Sequence, residues 1–264
     1  MGKGSRNFDI PKNSSGETVH IKLEEPALAA ENLGLTTWGS SFILATHLHR
    51  FALDWNSLHP AASHVSDNPG TTTSTVTSSS AISVLELGAG TGLVGLSAAA
   101  IWNTNVVLSD LAPIVPGLAV NICTNRKTLC GLGGSAFCGT LDWANPDKLV
   151  LHSIDAEGQE HTLRAETNKA TVILAADTIY SEEHPGMLSG TILRWLKHGP
   201  DARAIIAYPM RVAYLDEIRE LWELLQRGGL EAIDEGRELV GDDWDDEALH
   251  EWSVWRWETG EGNH

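Results

Sequence analysis

Residues 81–110, AISVLELGAGTGLVGLSAAAIWNTNVVLSD, decide the reading of this 264-residue chain. Val84, Leu85 and Leu87 make a short apolar run, as expected of a strand buried on both faces. Gly88, Gly90 and Gly92 follow at once. Leu93 to Trp102 is small and apolar with helical character, and Val106, Val107 and Leu108 make a second buried strand ending on Asp110. Each part has a use. Glycines let the backbone turn tightly and approach a ligand. The helix presents free N–H groups to whatever sits in the turn. An acid about 20 residues on, at the tip of the next strand, can accept hydrogen bonds from a ribose. The stretch predicts a nucleoside-cofactor site at the carboxyl edge of a parallel sheet.

The dinucleotide fingerprint needs a third glycine three residues after the second. Counted from Gly90 that position is Leu93, which argues against an NAD enzyme. The pattern is G-x-G-x-G preceded by Glu86, and E-L-G-A-G-T-G resembles the first motif of class I, seven-strand S-adenosylmethionine methyltransferases. A glycine-rich turn can also do no more than join strand to helix, but Glu86, three glycines and Asp110 would then have to coincide.

Composition narrows the class. A 42% hydrophobic share supports a substantial core, and the length suits one α/β domain. No run of 18 apolar residues occurs, so no membrane span is expected. The first residues, MGKGSRNFDIPKN, lack the apolar centre of a secretory signal. Cys123, Cys130 and Cys138 have neither zinc-site spacing nor an even count. They suit a reducing compartment, with the cytoplasm expected and the nucleus allowed, and no metal site. A net charge of −17 argues against nucleic acid as a partner and would attract a basic protein substrate. It equally serves solubility. No heptad pattern appears, and a monomer is expected.

In chain order, residues 1–30 read as a flexible or extended segment, polar and loose to about residue 20, with a short strand at Val19 to Leu23. Residues 31–264 read as a single domain. A helix is expected from about Ser40 to Trp55. His47 and His49 on it face different sides, against a metal pair. Between Thr71 and Ser80 only Val76 is not Ser or Thr, so a surface loop is expected over 61–80. After Asp110 come a helix entered through prolines, a strand in SAFCGTLDW, a polar excursion from Asp147 to Lys169, a strand at Thr171–Ala176, a helix from Glu182 to His198 and a strand at Ala204–Tyr208. Tyr214 to Arg227 carries a helical stripe of Leu215, Ile218, Leu221, Trp222 and Leu225. Leu230–Val240 and Trp252–Glu258 read as a final antiparallel pair. This alternation predicts an α/β fold: a Rossmann-like, seven-stranded, mostly parallel sheet with helices on both faces. The strand-end residues Asp110, Asp142, Trp143 and Asp177 should share its ligand-binding edge.

The motifs T-T-W-G-S around Trp38, E-L-G-A-G-T-G-L-V-G, L-S-D ending at Asp110, L-D-W ending at Trp143 and A-D-T-I-Y from Ala176 to Tyr180 resemble the lysine methyltransferase group called methyltransferase family 16. The likeness runs from roughly Glu31 to the end. It implies an S-adenosylmethionine-dependent protein-lysine N-methyltransferase, with a translation elongation factor as the guessed substrate. It also implies roles. Trp38 closes the site over the methionine end, Glu86 precedes the turn, and Gly88, Ala89, Gly90 and Gly92 form it beside the cofactor. Asp110 holds the ribose, Asp142 and Trp143 flank the adenine, and Ala176 lines the methionine portion. Asp177 and Tyr180 face the target amine. Acids at buried strand ends are costly unless used. The alternative for Trp38 and Trp143 is plain core packing, and for Tyr180 a cap on the sheet edge. Two alternatives stand beside this reading: a small-molecule N-methyltransferase, and a non-catalytic scaffold that keeps the fold. The Trp-rich EWSVWRWE reads either as a strand packed on both sides or as an aromatic rim at the substrate mouth.

Overall fold

The structure, a computed structural model, describes residues 4–25, 29–30, 33–34, 36–51, 53, 58, 82–154, 159–241, 244 and 249–259. The Ser/Thr-rich stretch at 61–80 lies outside the described residues. The chain opens with an antiparallel hairpin, β1 (Gly4–Pro11) and β2 (Thr18–Glu25). Its turn closes through Lys12 N–H donating to the Glu17 carbonyl at 2.7 Å, with the Asn13 side chain accepting Ser15 N–H at 3.0 Å. A loose segment was the expectation to about residue 20. Order comes instead from period-two burial: Phe8 and Ile10 join Val19, Ile21 and Leu23 on one buried face.

β3 (Ala29–Ala30) and β4 (Leu33–Gly34) form a short antiparallel pair. α1 (Gly39–His47) runs into a single 3₁₀ turn, Leu48–Arg50. Phe51 then takes extended dihedrals, so the helical stretch stops short of the expected Trp55. The central unit follows as β5 (Ile82–Leu87), α2 (Leu93–Trp102) and β6 (Asn105–Asp110). Next come α3 (Val115–Gly131), β7 (Ser135–Thr140), β8 (Lys148–His152), β9 (Glu160–Arg164) and β10 (Ala170–Ala176). The chain closes through α4 (His184–Trp195), β11 (Arg203–Pro209), α5 (Leu215–Arg227), β12 (Leu230–Leu239) and β13 (Leu249–Trp257).

The main sheet has nine strands in the order β12-β13-β11-β10-β5-β6-β7-β8-β9. The five from β11 to β7 are parallel, and an antiparallel pair flanks each side. The expected seven strands are present; the two extra, β8 and β9, fall in the stretch read as a polar excursion. Their signal is faint because only Leu149, Leu151 and Leu163 are apolar and buried there. The direction of strand addition reverses between β5 and β10, and that switch point is where α/β sheets bind ligands.

Neighbouring residues on one strand split between two cores. Val84, Ile205 and Val254 pack with α1, α2, α3 and the β1–β2 hairpin. Leu85, Ile206 and Trp255 pack with α4 and α5. Both faces of the sheet are thus covered, as the continuous apolar strands require. The Trp-rich strand obeys the same rule. Trp255 meets Trp222 edge-on at 4.7 Å, while Trp252 lies on the other face against Phe51 at 5.4 Å and His47 at 5.5 Å. Packing accounts for these rings. Among the described residues no helix is long and apolar enough to cross a membrane.

The hairpin is held to the sheet by two amides one turn apart on α3. Asn121 Oδ1 accepts Glu24 N–H at 2.8 Å, and its Nδ2 donates to the carbonyls of Thr91 (2.9 Å) and Glu24 (3.2 Å). Asn125 does the same for Lys22, accepting at 3.0 Å and donating at 2.7 Å. An amide that donates and accepts in one plane imitates a neighbouring strand, so β2 is paired along that edge without one. Because Asn121 also reaches Thr91, the hairpin is tied to the glycine turn. Asn121→Ala leaves buried backbone groups unpaired and should cost about 1–3 kcal/mol in urea unfolding. No loss of stability would show that the amide clip is dispensable.

Candidate active site

The candidate residues meet at the carboxyl edge of the parallel strands. β5 leads into the turn Gly88–Gly92. Ala89 secures it, donating its N–H to the Ser109 carbonyl at 3.0 Å and accepting from Gly92 N–H at 2.7 Å. Gly92 is packed beneath, against Leu108 and Leu118. Two glycines face outward. A Cβ at Gly88 would stand 3.1 Å from Trp143 and 3.0 Å from Thr178, so only glycine lets this ring and the A-D-T-I-Y segment close on the turn. Gly90 has a φ of +54° with nothing within 4 Å of a would-be Cβ. That left-handed backbone favours glycine, and the missing side chain leaves open space for a ligand.

Two acids brace this turn. Asp110, half-buried at the tip of β6, accepts Gly90 N–H at 2.8 Å on one oxygen and Leu111 N–H at 2.7 Å on the other. Burial pushes its carboxyl above the ordinary range, while those two N–H donors pull it back. Glu86 lies deeper, 2% exposed, beneath the turn. Its Oε2 accepts the Gly95 N–H in the first turn of α2 at 2.9 Å. Burial pushes its carboxyl up to about 8.

The opposite wall comes from β10 and the segment after it. Ala176 ends the strand buried, and Asp177 follows with a left-handed φ of 55° and its N–H on the Ala207 carbonyl at 2.9 Å. Short polar side chains tolerate that conformation better than most. Thr178 is buried, and its hydroxyl has no hydrogen-bond partner among the described residues. Tyr180 is 38% exposed, its ring 4.1 Å from His184 and perpendicular to it. His184 in turn meets Trp143 at 6.0 Å, making a row of three rings. Burial pushes the His184 imidazole below its ordinary range. Asp142 is exposed, and its carboxylate takes Ala144 N–H at 2.9 Å and the Asn145 amide at 3.3 Å. Trp38 caps α1. Its neighbour Thr37 shares a hydroxyl bond of 2.9 Å with Thr91, which ties this segment to the turn.

One further residue enters the site. Arg211, just past β11, pairs with Asp177 through two nitrogens at 3.0 and 3.3 Å, with its guanidinium carbon 5.7 Å from the Trp38 ring. No motif in the sequence marks it. Its position two residues beyond a parallel strand end is the signal that could have found it. Among the described residues no three or more His, Cys, Asp or Glu side chains group as a metal site.

The sequence profile of one protein family, described as lysine methyltransferase, matches residues 17–220. The chain belongs to the lysine methyltransferase family. It is 36% identical over 234 residues to protein-lysine N-methyltransferase EFM2 of Saccharomyces cerevisiae, covering 86% of this chain and 49% of that protein. It is 31% identical over 241 residues to protein-lysine N-methyltransferase rrg1 of Schizosaccharomyces pombe, covering 90% and 67%. Protein N-lysine methyltransferase METTL21A of Danio rerio is 29% identical over 151 residues, covering 57% and 59%. The chain thus spans about half the length of the first of these relatives.

In this lysine methyltransferase family member, Glu86 yields a stability test. Between the ordinary carboxyl value of 4.5 and about 8, the folded protein holds a proton that the unfolded chain releases. Stability contributed by this group is therefore full below 4.5 and declines as pH rises to about 8. Glu86→Gln keeps an acceptor for Gly95 and has no proton to lose. Its Tm relative to wild type should rise across that window in thermal melts. A difference independent of pH would contradict a protonated Glu86 in the fold.

Proposed function

We propose that the protein is an S-adenosylmethionine-dependent protein-lysine N-methyltransferase whose reaction takes place at this edge. The observation that carries the reading is the convergence of the open Gly90 turn, Asp110 and Asp177 at the switch point, in a chain of the lysine methyltransferase family. The residues suit the cofactor. Gly90 offers open backbone, Asp110 has carboxylate lone pairs to spare for ribose hydroxyls, Trp143 offers an aromatic wall, and the Thr178 hydroxyl is a buried polar atom awaiting a partner. Glu86 acts from beneath by fixing the turn.

When bound, the cofactor supplies an activated methyl group on a sulfonium. The lysine nitrogen's lone pair would take that methyl group, with the electron pair of the S–C bond returning to sulfur. The amine must first lose a proton to water. From a reference pKa of ~10.4, exposing its lone pair at pH 7 costs roughly 4–5 kcal/mol. Desolvation between Trp38 and Tyr180 lowers that cost. In this reading Asp177 captures and orients the amine and does not act as a strong base. Positioning then supplies most of the rate.

The surroundings favour a basic protein segment as substrate. Four of the six large hydrophobic side chains that are exposed among the described residues, Leu111, Tyr180, Val212 and Leu239, lie at the carboxyl ends of β6, β10, β11 and β12. Glu182 and Glu183 are exposed next to Tyr180, on a chain of net charge −17. An apolar rim with acids suits a lysine set among basic residues on a protein surface better than a small amine.

The test is incubation of the purified protein with labelled S-adenosylmethionine and a cell lysate, beside Asp177→Asn, which tolerates the left-handed backbone. A discrete labelled protein band is expected, weaker by roughly 100-fold in the variant. Label confined to small molecules would overturn the protein-lysine assignment, and equal labelling by the variant would remove Asp177 from the reaction.

A further inference from the structure

Arg211 covers both oxygens of Asp177. Nη1 stands 3.0 Å from Oδ1 and Nη2 3.3 Å from Oδ2. The Asp177 side chain is 4% exposed and that of Arg211 21%, so water screens this pair poorly. A guanidinium fork fixes the plane of a carboxylate as well as its charge, which a lysine in the same place would not do. The Trp38 ring backs the guanidinium, and the Asp177 backbone is pinned to β11 by its own N–H. Position and charge of this carboxylate are thus determined before any substrate arrives.

That pairing bears on a difficulty in the proposed transfer, on which this inference rests. A lone buried carboxylate beside the target amine would favour the ammonium form, and an ammonium has no lone pair to accept a methyl group. A carboxylate already neutralised by a guanidinium can still accept a hydrogen bond from the amine, yet holds the proton far less tightly. We infer that Arg211 is a positioning residue for methyl transfer: it keeps Asp177 oriented toward the lysine while cancelling the charge that would trap that lysine as an ammonium.

The other titratable groups around Asp177 do not serve this purpose. Tyr180 follows it on the same segment. His184 of α4 packs on Tyr180 and is held neutral by burial at and above neutral pH. Asp110, at the tip of β6, is an acid and would add to the trapping charge, while Glu86 in β5 keeps its proton up to about pH 8, and both are engaged by backbone N–H groups. Among the described residues, Arg211 is the cation that the structure sets on Asp177.

The test measures initial rates of label transfer from S-adenosylmethionine to lysate protein by wild type, Arg211→Gln and Arg211→Lys, from pH ~6.5 to ~9.5. Thermal melts and S-adenosylmethionine titrations on each variant establish that fold and cofactor site survive. Arg211→Gln should be roughly tenfold slower at neutral pH and should recover toward the wild-type rate as pH rises, its profile displaced to the alkaline side by about one unit. Arg211→Lys, which keeps the charge and loses the fork, should keep the wild-type midpoint with a lower plateau. A uniform loss in Arg211→Gln without displacement would overturn the inference and leave Arg211 a structural tie between β10 and β11. A faster Arg211→Gln would also overturn it, showing that the guanidinium blocks the amine's place. Absence of transfer by wild type at every pH would instead overturn the underlying function, and the inference with it.

Discussion

The hydrogen bond from Gly90 N–H to the Asp110 carboxylate, 2.8 Å across the tips of β5 and β6, is the interaction on which the site depends. Parallel strands covered by helices on both faces offer no place along their length for unsatisfied polar groups. Chemistry is therefore confined to the strand ends, and a strand end needs something to hold its shape. Here the loop backbone supplies donors and the next strand supplies the carboxylate. Glu86 repeats the device one layer down with Gly95. One acid sets the outer surface of the turn and the other its foundation.

The far wall is built by the same logic with different parts. Asp177 also sits at a strand tip, but its partner is a side chain. Arg211 reaches it from the neighbouring strand end, and Trp38 arrives from the segment before α1. Thr37 and Thr91 join that segment to the glycine turn, and Asn121 joins the turn to the hairpin. The N-terminal hairpin, far from the glycine turn in sequence, is thereby coupled to it.

Much of this was legible in the sequence, and for physical reasons. Apolar runs such as Val84–Leu85–Leu87 and Val172–Ala175 can be stable only as strands covered on both faces, and three glycines before an apolar helix leave few conformations. The pieces that escaped lack such compulsion. β8 and β9 each bury one or two side chains, so their alternation is lost among polar residues. The β1–β2 hairpin is also held by asparagines more than 90 residues away, which no local pattern reveals. In the site, strand-end acids could be named because burial makes them expensive. Arg211 could not, since an arginine after a proline and a methionine looks like an ordinary loop residue until its carboxylate partner is in view.

The most direct measurement is calorimetric titration of S-adenosylmethionine into the wild-type protein and Asp110→Ala. Saturable binding by wild type is expected, weakened in the variant by roughly tenfold or more as hydrogen bonds to the ribose are lost. A wild-type protein that binds no S-adenosylmethionine, or a variant that binds it equally well, would contradict the assignment of this strand edge to the cofactor.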